Sequence, residues 1–267
     1  MVHADVSLVI AHDHPALPGH FPGNPIVPGA LLLDEVAAAV QQQCGTPIRE
    51  VLLAKFPSIL RPAVPCAVTV SAREDGSMRL VCSAGAQTVL TAVVTGSLDL
   101  GQRDAWPPEA RVRAQARRRS TPLQGSDEIA ALLPHGGDMV LIDGVEEWTE
   151  GDIVCSASSH LCAQNPLRRS GGLSAVCALE YGAQTMALHG ALSGGGPARP
   201  GLLASVRDMK LFADRIDDVS GALSIRAALL HRDPRAAVYG FCVAAGDDVL
   251  ASGRVGIVMT STSAAIS

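Results

Sequence analysis

The sequence predicts an α+β protein in which one structural plan is used twice. Two Ala-rich apolar stretches, residues 30–43 and 174–192, have helical composition. Each is followed by short β-branched runs separated by Gly, Pro and Asp, the pattern of antiparallel strands. A Pro- and Arg-rich stretch at 101–125 divides the 267 residues into two similar halves. Helix plus strands, occurring twice, indicates an internal duplication.

The first half opens with a short strand expected over Val6–Ile10, then a loop dense in Pro, Gly and His from His12 to Gly29. ALLLDEVAAAVQQQ, residues 30–43, is apolar almost all round, so this helix is expected to be buried rather than to lie on a surface. Gly45 and Pro47 follow it, as befits a helix end. VLLAKFPSIL, CAVTVSARE, MRLVCSAG and QTVLTAVVTGSLDL then read as strands and hairpins. In the second half, LPHGGDMVLIDGVEEWTEGDIVCSASS supplies two strands, and SAVCALEYGAQTMALHGAL a second buried helix closed by Ser193, Gly194, Gly195 and Gly196. LLASVRDMKLFA, GALSIRAALLHR, AAVYGFCVAAGD and VLASGRVGIVM complete it. The expected domains are therefore 1–100 and 126–267, joined by the surface connection 101–125. Its Arg111, Arg113, Arg117, Arg118 and Arg119 read as a solvated linker, or more sharply as a docking surface for an acidic partner.

Composition excludes several functions. With 48% hydrophobic residues and a mean hydropathy of +0.25, the chain is too apolar for disorder. No run reaches the roughly 18–20 apolar residues of a membrane span. MVHADVSLVI lacks the basic start and long apolar core of a signal peptide, which predicts a cytoplasmic protein. A net charge of −5 and only 3% aromatic residues disfavour nucleic acid as a partner. The seven cysteines form no C-x-x-C pair and read as free thiols. His12, Asp13 and His14 are a weak metal pattern, better read as a surface turn, and no metal is expected.

The most informative stretch is GHFPGNPIVPGALLLD, residues 19–34. Its prolines and glycines stiffen the loop around His20 and fix where the imidazole points. Gly29, at the expected helix start, offers a backbone N–H at the positive end of the helix dipole, suited to a carbonyl oxygen gaining charge. Asp34, inside so apolar a helix, needs a partner or a raised pKa.

H-F-P-G-x-P-x-x-P-G followed by a carboxylate resembles the signature of the hotdog-fold 3-hydroxyacyl-[acyl-carrier-protein] dehydratases, matched by His20, Phe21, Pro22, Gly23, Pro25, Pro28, Gly29 and Asp34. The second half resembles them less completely, through L-P-H at Leu133–His135 and E-Y-G-A-Q at Glu180–Gln184. QNPLRRSGG, residues 164–172, stands where H-F-P-G is expected, and Asn165 cannot serve as a base. His160 is a weak substitute, and Ala38 replaces the Gln expected after Asp34. His135 falls at a structural or tunnel-edge position of the family, and His189 reads as a helix C-terminal dipole partner. Arg168, Arg169, Arg199, Arg207 and Lys210 read mainly as surface charge, alternatively as contacts to an acidic carrier or a phosphate.

The resemblance implies a tandem double hotdog, two antiparallel sheets each wrapped around a long central helix, forming an intramolecular pseudo-dimer that could dimerise further. It implies dehydration of a (3R)-3-hydroxyacyl thioester on acyl carrier protein to a trans-2-enoyl product, without cofactor. His20 would be the base, and Glu180 or Asp34 the acid. Gly29, Phe21, Pro28 and Gln184 would contact substrate. Each half is incomplete, so His20 is expected to work with Glu180 across the halves, leaving Asp34 facing the Asn165 loop in an inert twin. The same arrangement resembles the paired dehydratase components of aryl-polyene pathways. A hotdog thioesterase and a non-catalytic assembly partner are the alternative readings.

Overall fold

A computed structural model of the chain describes residues 3–98 and 123–260. The basic connection expected at 101–125 lies almost wholly outside the described residues, its five arginines included.

The first half runs β1 (His3–Leu8), α1 (Gly29–Cys44), β2 (Glu50–Lys55), β3 (Cys66–Ala72), β4 (Met78–Ala84) and β5 (Gln87–Thr95). The second runs β6 (Leu123–Gln124), α2 (Ser126–Leu132), β7 (Gly144–Trp148), β8 (Asp152–Ala157), α3 (Ala178–Gly194), β9 (Gly201–Leu211), β10 (Leu223–Arg232), β11 (Ala236–Ala245) and β12 (Asp248–Met259). In both halves a strand precedes the long helix, one strand follows it, and a three-stranded meander ends the unit. The second half adds β6, β7 and α2 at its outer edge.

The elements differ from the expectations where proline intervenes. VLLAKFPSIL ends as a strand at Lys55, because Pro57 has no N–H for a ladder. Both long helices stop at a left-handed glycine: Gly45 has φ 71° and Gly195 has φ 70°. Leu31, Leu33, Val36 and Val40 of α1 and Leu179, Tyr181 and Leu188 of α3 are all buried, as an all-round apolar helix requires.

The two expected sheets run on into one another. All strands among the described residues belong to one antiparallel sheet ordered β1-β3-β4-β5-β2-β9-β12-β11-β10-β8-β7-β6. The strand after each helix is the edge of its own half, and an unpaired edge seeks a partner. Here β2 pairs with β9, with Glu50 opposite Lys210 and Ala54 opposite Val206. Because this seam is antiparallel, the halves are related as by a two-fold axis. That relation draws together the loop before α1 and the first turn of α3, and reciprocally the loop before α3 and the start of α1.

Candidate active site

Four segments from both halves build the site. The loop before α1 carries His20, whose Nδ1 lies 2.9 Å from the carbonyl oxygen of Ile26. A carbonyl only accepts, so Nδ1 carries the proton in the neutral ring and Nε2 is left as the basic nitrogen. Phe21 adopts φ 60°, a left-handed conformation costly for an aromatic residue. It sets the Phe21 ring edge-on to His20 with centroids 4.7 Å apart.

The second half meets this loop through its L-P-H segment. Gly136 N–H donates to the Gly19 carbonyl at 2.9 Å, and His20 and His135 form an isolated antiparallel bridge. A Cβ on Gly19 would lie 2.1 Å from the Gly136 oxygen, so glycine is required for this approach. His135 Nε2 then lies 3.2 Å from Glu180 Oε1, on the first turn of α3. Ring nitrogens of His20 and His135 and a carboxylate oxygen of Glu180 all fall within 4.8 Å of one another.

Gln184, one turn along α3, holds the carboxylate in place. Its Nε2 donates to Glu180 Oε1 at 3.1 Å and to the Met139 carbonyl at 2.8 Å, while its Oε1 accepts from Leu141 N–H at 3.0 Å. Gln184 is wholly buried and is not among the residues lining the cavity, so its amide faces Glu180, Met139 and Leu141 rather than the channel. Pro28, which is not among the lining residues, caps the entry to α1, with its carbonyl accepting from Leu32 N–H at 2.9 Å. Phe21 and Gly29 do line the cavity.

Burial drives the His20 pKa down to about 4, a shift opposed by the Glu180 carboxylate, reinforced by His135 and opposed by the Ile26 carbonyl. The imidazole is therefore neutral and able to accept a proton at neutral pH. Burial alone would push Glu180 up, but the hydrogen bond and charge of His135, the His20 charge and the Gln184 amide outweigh it and hold the carboxyl down at about 2.

A cavity of about 660 Å³ opens onto these groups. It passes Gly29 and Phe56 and follows one face of α3 along Ala183, Ala187, Gly190 and Gly194. Small residues at that helical spacing make the room. From Glu180 to Gly194 the channel spans about 21 Å at 1.5 Å per helical residue. A Cβ on Gly29 would lie 2.8 Å from Leu203 Cδ2, so glycine lets the first turn of α1, with its unpaired N–H groups, form the wall.

The twin position is built differently. Asp34 is buried against Arg169, with Nε 2.9 Å from Oδ2 and a second guanidinium nitrogen donating to Oδ1 at 3.2 Å. Burial raises the Asp34 pKa, opposed by the Arg169 charge and by hydrogen bonds from Ser174, Arg169 and Cys177. Asn165 spends its amide on the Ser159 carbonyl and the Tyr181 hydroxyl, both at 3.0 Å. Arg168 donates to the His160 carbonyl at 2.8 Å and pairs with Asp217. Arg168 and Arg169, half-buried, are thus each paired with a buried carboxylate. Neither Asp34 nor His160 lines the cavity. His189 is also reassigned: its Nε2–H donates to the Thr149 carbonyl at 3.0 Å and its Nδ1 accepts from the Tyr239 hydroxyl at 2.9 Å. His135, expected at a structural or tunnel-edge position, does line the cavity, and its contact with Glu180 is one that only the L-P-H motif hinted at.

Residues 127–266 match the ApeP-like family, described as ApeP dehydratase, and residues 2–94 match the ApeI-like family, described as ApeI dehydratase. The chain belongs to the ApeP-like dehydratases, with an ApeI-like unit ahead of the ApeP-like one. His20 thus comes from the ApeI-like half and Glu180, His135 and Gln184 from the ApeP-like half. Solved structures share the fold across nearly the whole chain. The dehydratase domain of a mycocerosic acid synthase-like polyketide synthase superposes with TM-score 0.72 at 20% identity, covering 98% of this chain and 92% of that one. A pyran synthase domain from module nine of the sorangicin pathway does so with TM-score 0.72 at 15% identity, covering 97% and 94%. The dehydratase domain of PpsC from Mycobacterium tuberculosis, solved with C12:1-CoA, gives TM-score 0.66 at 13% identity, covering 97% and 94%. No curated protein matches the chain. Among the described residues of this ApeP-like dehydratase, no helix is long and apolar enough to cross a membrane.

Proposed function

We propose that the protein removes water from a (3R)-3-hydroxyacyl thioester carried on acyl carrier protein, giving the trans-2-enoyl thioester. The observation that carries this reading is the convergence of His20, Glu180 and the start of α1 at Gly29 on one acyl-sized channel. The thioester carbonyl sits against the first N–H groups of α1, whose dipole stabilises the enolate charge. His20 Nε2, neutral and uncovered by its Ile26 bond, takes the α-proton. Glu180, on the opposite wall, faces the 3-hydroxyl and passes it the proton with which it departs as water. The acyl chain extends along α3 past Ala187 and Gly190. C12:1-CoA in the PpsC domain supports an acyl thioester as ligand for this fold.

Asp34 has no part in this chemistry: its ion pair with Arg169 makes the twin position a structural joint. Incubation with a 3-hydroxyacyl carrier thioester and mass analysis tests the function. Loss of water is expected, absent in His20→Ala and Glu180→Gln. Loss of the whole acyl group, or unchanged mass with the intact protein, would refute it.

A further inference from the structure

The dehydration needs a proton at the leaving oxygen, and the geometry of Glu180 leaves open where that proton is stored. Its Oε1 is shared between Gln184 Nε2, 3.1 Å away, and His135 Nε2, 3.2 Å away. An amide hydrogen cannot be released at neutral pH, whereas an imidazole proton can. His135 is therefore the proton donor in reach of the carboxylate, and it belongs to the cavity wall.

We propose that His135 supplies the proton for the departing hydroxyl, acting through Glu180, so that the acid of this site is an imidazole–carboxylate pair holding one proton. The proposal rests on the dehydratase reading above. Three further observations support it. The side chains of His135 and Glu180 are only 8% and 6% exposed, so solvent competes poorly for the shared proton. His135 Nδ1 is buried without a hydrogen-bond partner, so no second bond fixes the proton to the ring. The backbone bridge to His20 and the Gly136–Gly19 hydrogen bond hold His135 at the junction of the halves.

The step balances. The Cα–H bond breaks and its proton goes to His20 Nε2, while the electron pair forms the Cα=Cβ bond. The Cβ–O bond breaks, and its pair stays on oxygen. That oxygen accepts the proton of the pair through Glu180 and leaves as water. The cycle closes when the His20 imidazolium returns its proton to the His135–Glu180 pair. Among the described residues, the ionisable groups with a ring nitrogen or carboxylate oxygen within 4.8 Å of the His135 ring are His20, from the loop before α1, and Glu180, from α3.

His135 is a positioning and proton-supplying residue, so its test needs a readout that a packing defect leaves unmoved. A 3-fluoroacyl thioester provides one, because fluoride departs with the bonding pair and needs no proton. In His135→Gln, turnover of the 3-hydroxyacyl substrate is expected to fall by about 10²–10⁴-fold, the usual worth of general acid catalysis, with the 3-fluoroacyl substrate within a few-fold of wild type. An equal loss on both substrates, or none on either, would overturn the proposal. The intact protein offers a second measurement. Its kcat on the 3-hydroxyacyl substrate is expected to decline on the alkaline side as the pair loses its proton, and that limb is expected to be missing in His135→Gln or His135→Asn. A limb that persists in the variants, or is absent from wild type, refutes the role. Loss of both substrates in His20→Ala checks the underlying reading separately: if that variant still eliminates, the base has been misassigned, whatever His135 does.

Discussion

Replacing Arg169 by Met tests the proposal that the Asp34 position is a structural joint distinct from the His20–Glu180 site. Asp34 is 1% exposed and Arg169 has 31% of its side chain exposed, so the pair is buried on the acid side and wetted on the base side. Removing one partner of a buried ion pair costs about 3–5 kcal/mol. Solvent around Arg169 weakens the pair, and the raised pKa lets Asp34 escape part of the penalty by protonating, which reduces the figure to about 2–3 kcal/mol. At about 2–4 °C per kcal/mol, the melting temperature should fall by about 4–12 °C. The pH dependence has a definite sign. Without Arg169 the folded-state pKa of Asp34 lies further above its ordinary 3.8, so the native state binds the extra proton. The destabilisation is then absent below about 3.8 and develops as pH rises from there through the raised value. The double variant Arg169→Met, Asp34→Asn should recover at least half of the loss, since no charge is left buried. Thermal melting across pH, with turnover of a 3-hydroxyacyl thioester at a temperature where every variant is folded, measures both effects. Turnover should stay within about threefold of wild type in Arg169→Met, in Asp34→Asn and in the double variant. If Asp34→Asn abolished turnover while melting normally, or if Arg169→Met melted like wild type, the assignment of the pair as a joint would be wrong.

Burial holds His20 at about 4, so the acidic limb of kcat/KM should fall near pH 4 rather than at the ordinary histidine value of 6.5; a stopped assay over pH 3.5–8 locates it, and a midpoint above 6 would contradict a desolvated base. A Cβ on Gly190 would meet nothing within 4 Å, and the residue lines the channel, so Gly190→Leu should fold normally and obstruct the chain path. Its KM should rise about tenfold or more for long acyl chains and stay unchanged for four-carbon ones, and a uniform rise would argue against the chain lying along α3.

Much of the fold was legible because its signals are local. The two helices announced themselves by Ala and Leu content, and every strand of both meanders by β-branched runs between Gly, Pro and Asp. The His20 loop was legible for the same reason, since proline and glycine restrict the backbone that they occupy. The errors fell where a residue's role depends on another segment. Gln184 belongs to the right motif, yet its amide is consumed by Met139, Leu141 and Glu180. Arg168 and Arg169 looked like surface charge because nothing nearby in sequence shows that Asp217 and Asp34 await them. His189, placed near a helix end, binds Thr149 and Tyr239 on other elements instead.

By itself the sequence determined the duplicated α+β plan, the stiff loop that presents His20, and the loss of a base at Asn165. The first two depend on propensities and excluded backbone conformations within a few residues, and the third on the resemblance to the dehydratase motif. Tertiary structure alone decided which carboxylate meets His20. The β2–β9 seam joins two sheets into one and places Glu180, not Asp34, beside the imidazole, while Arg169 takes Asp34. It also brought His135 to Glu180 by pairing two distant loops at Gly19 and Gly136. The reason is physical: side-chain chemistry is carried by each residue, but a proton moves only between groups held about 3 Å apart, and that distance is set by how the halves pack.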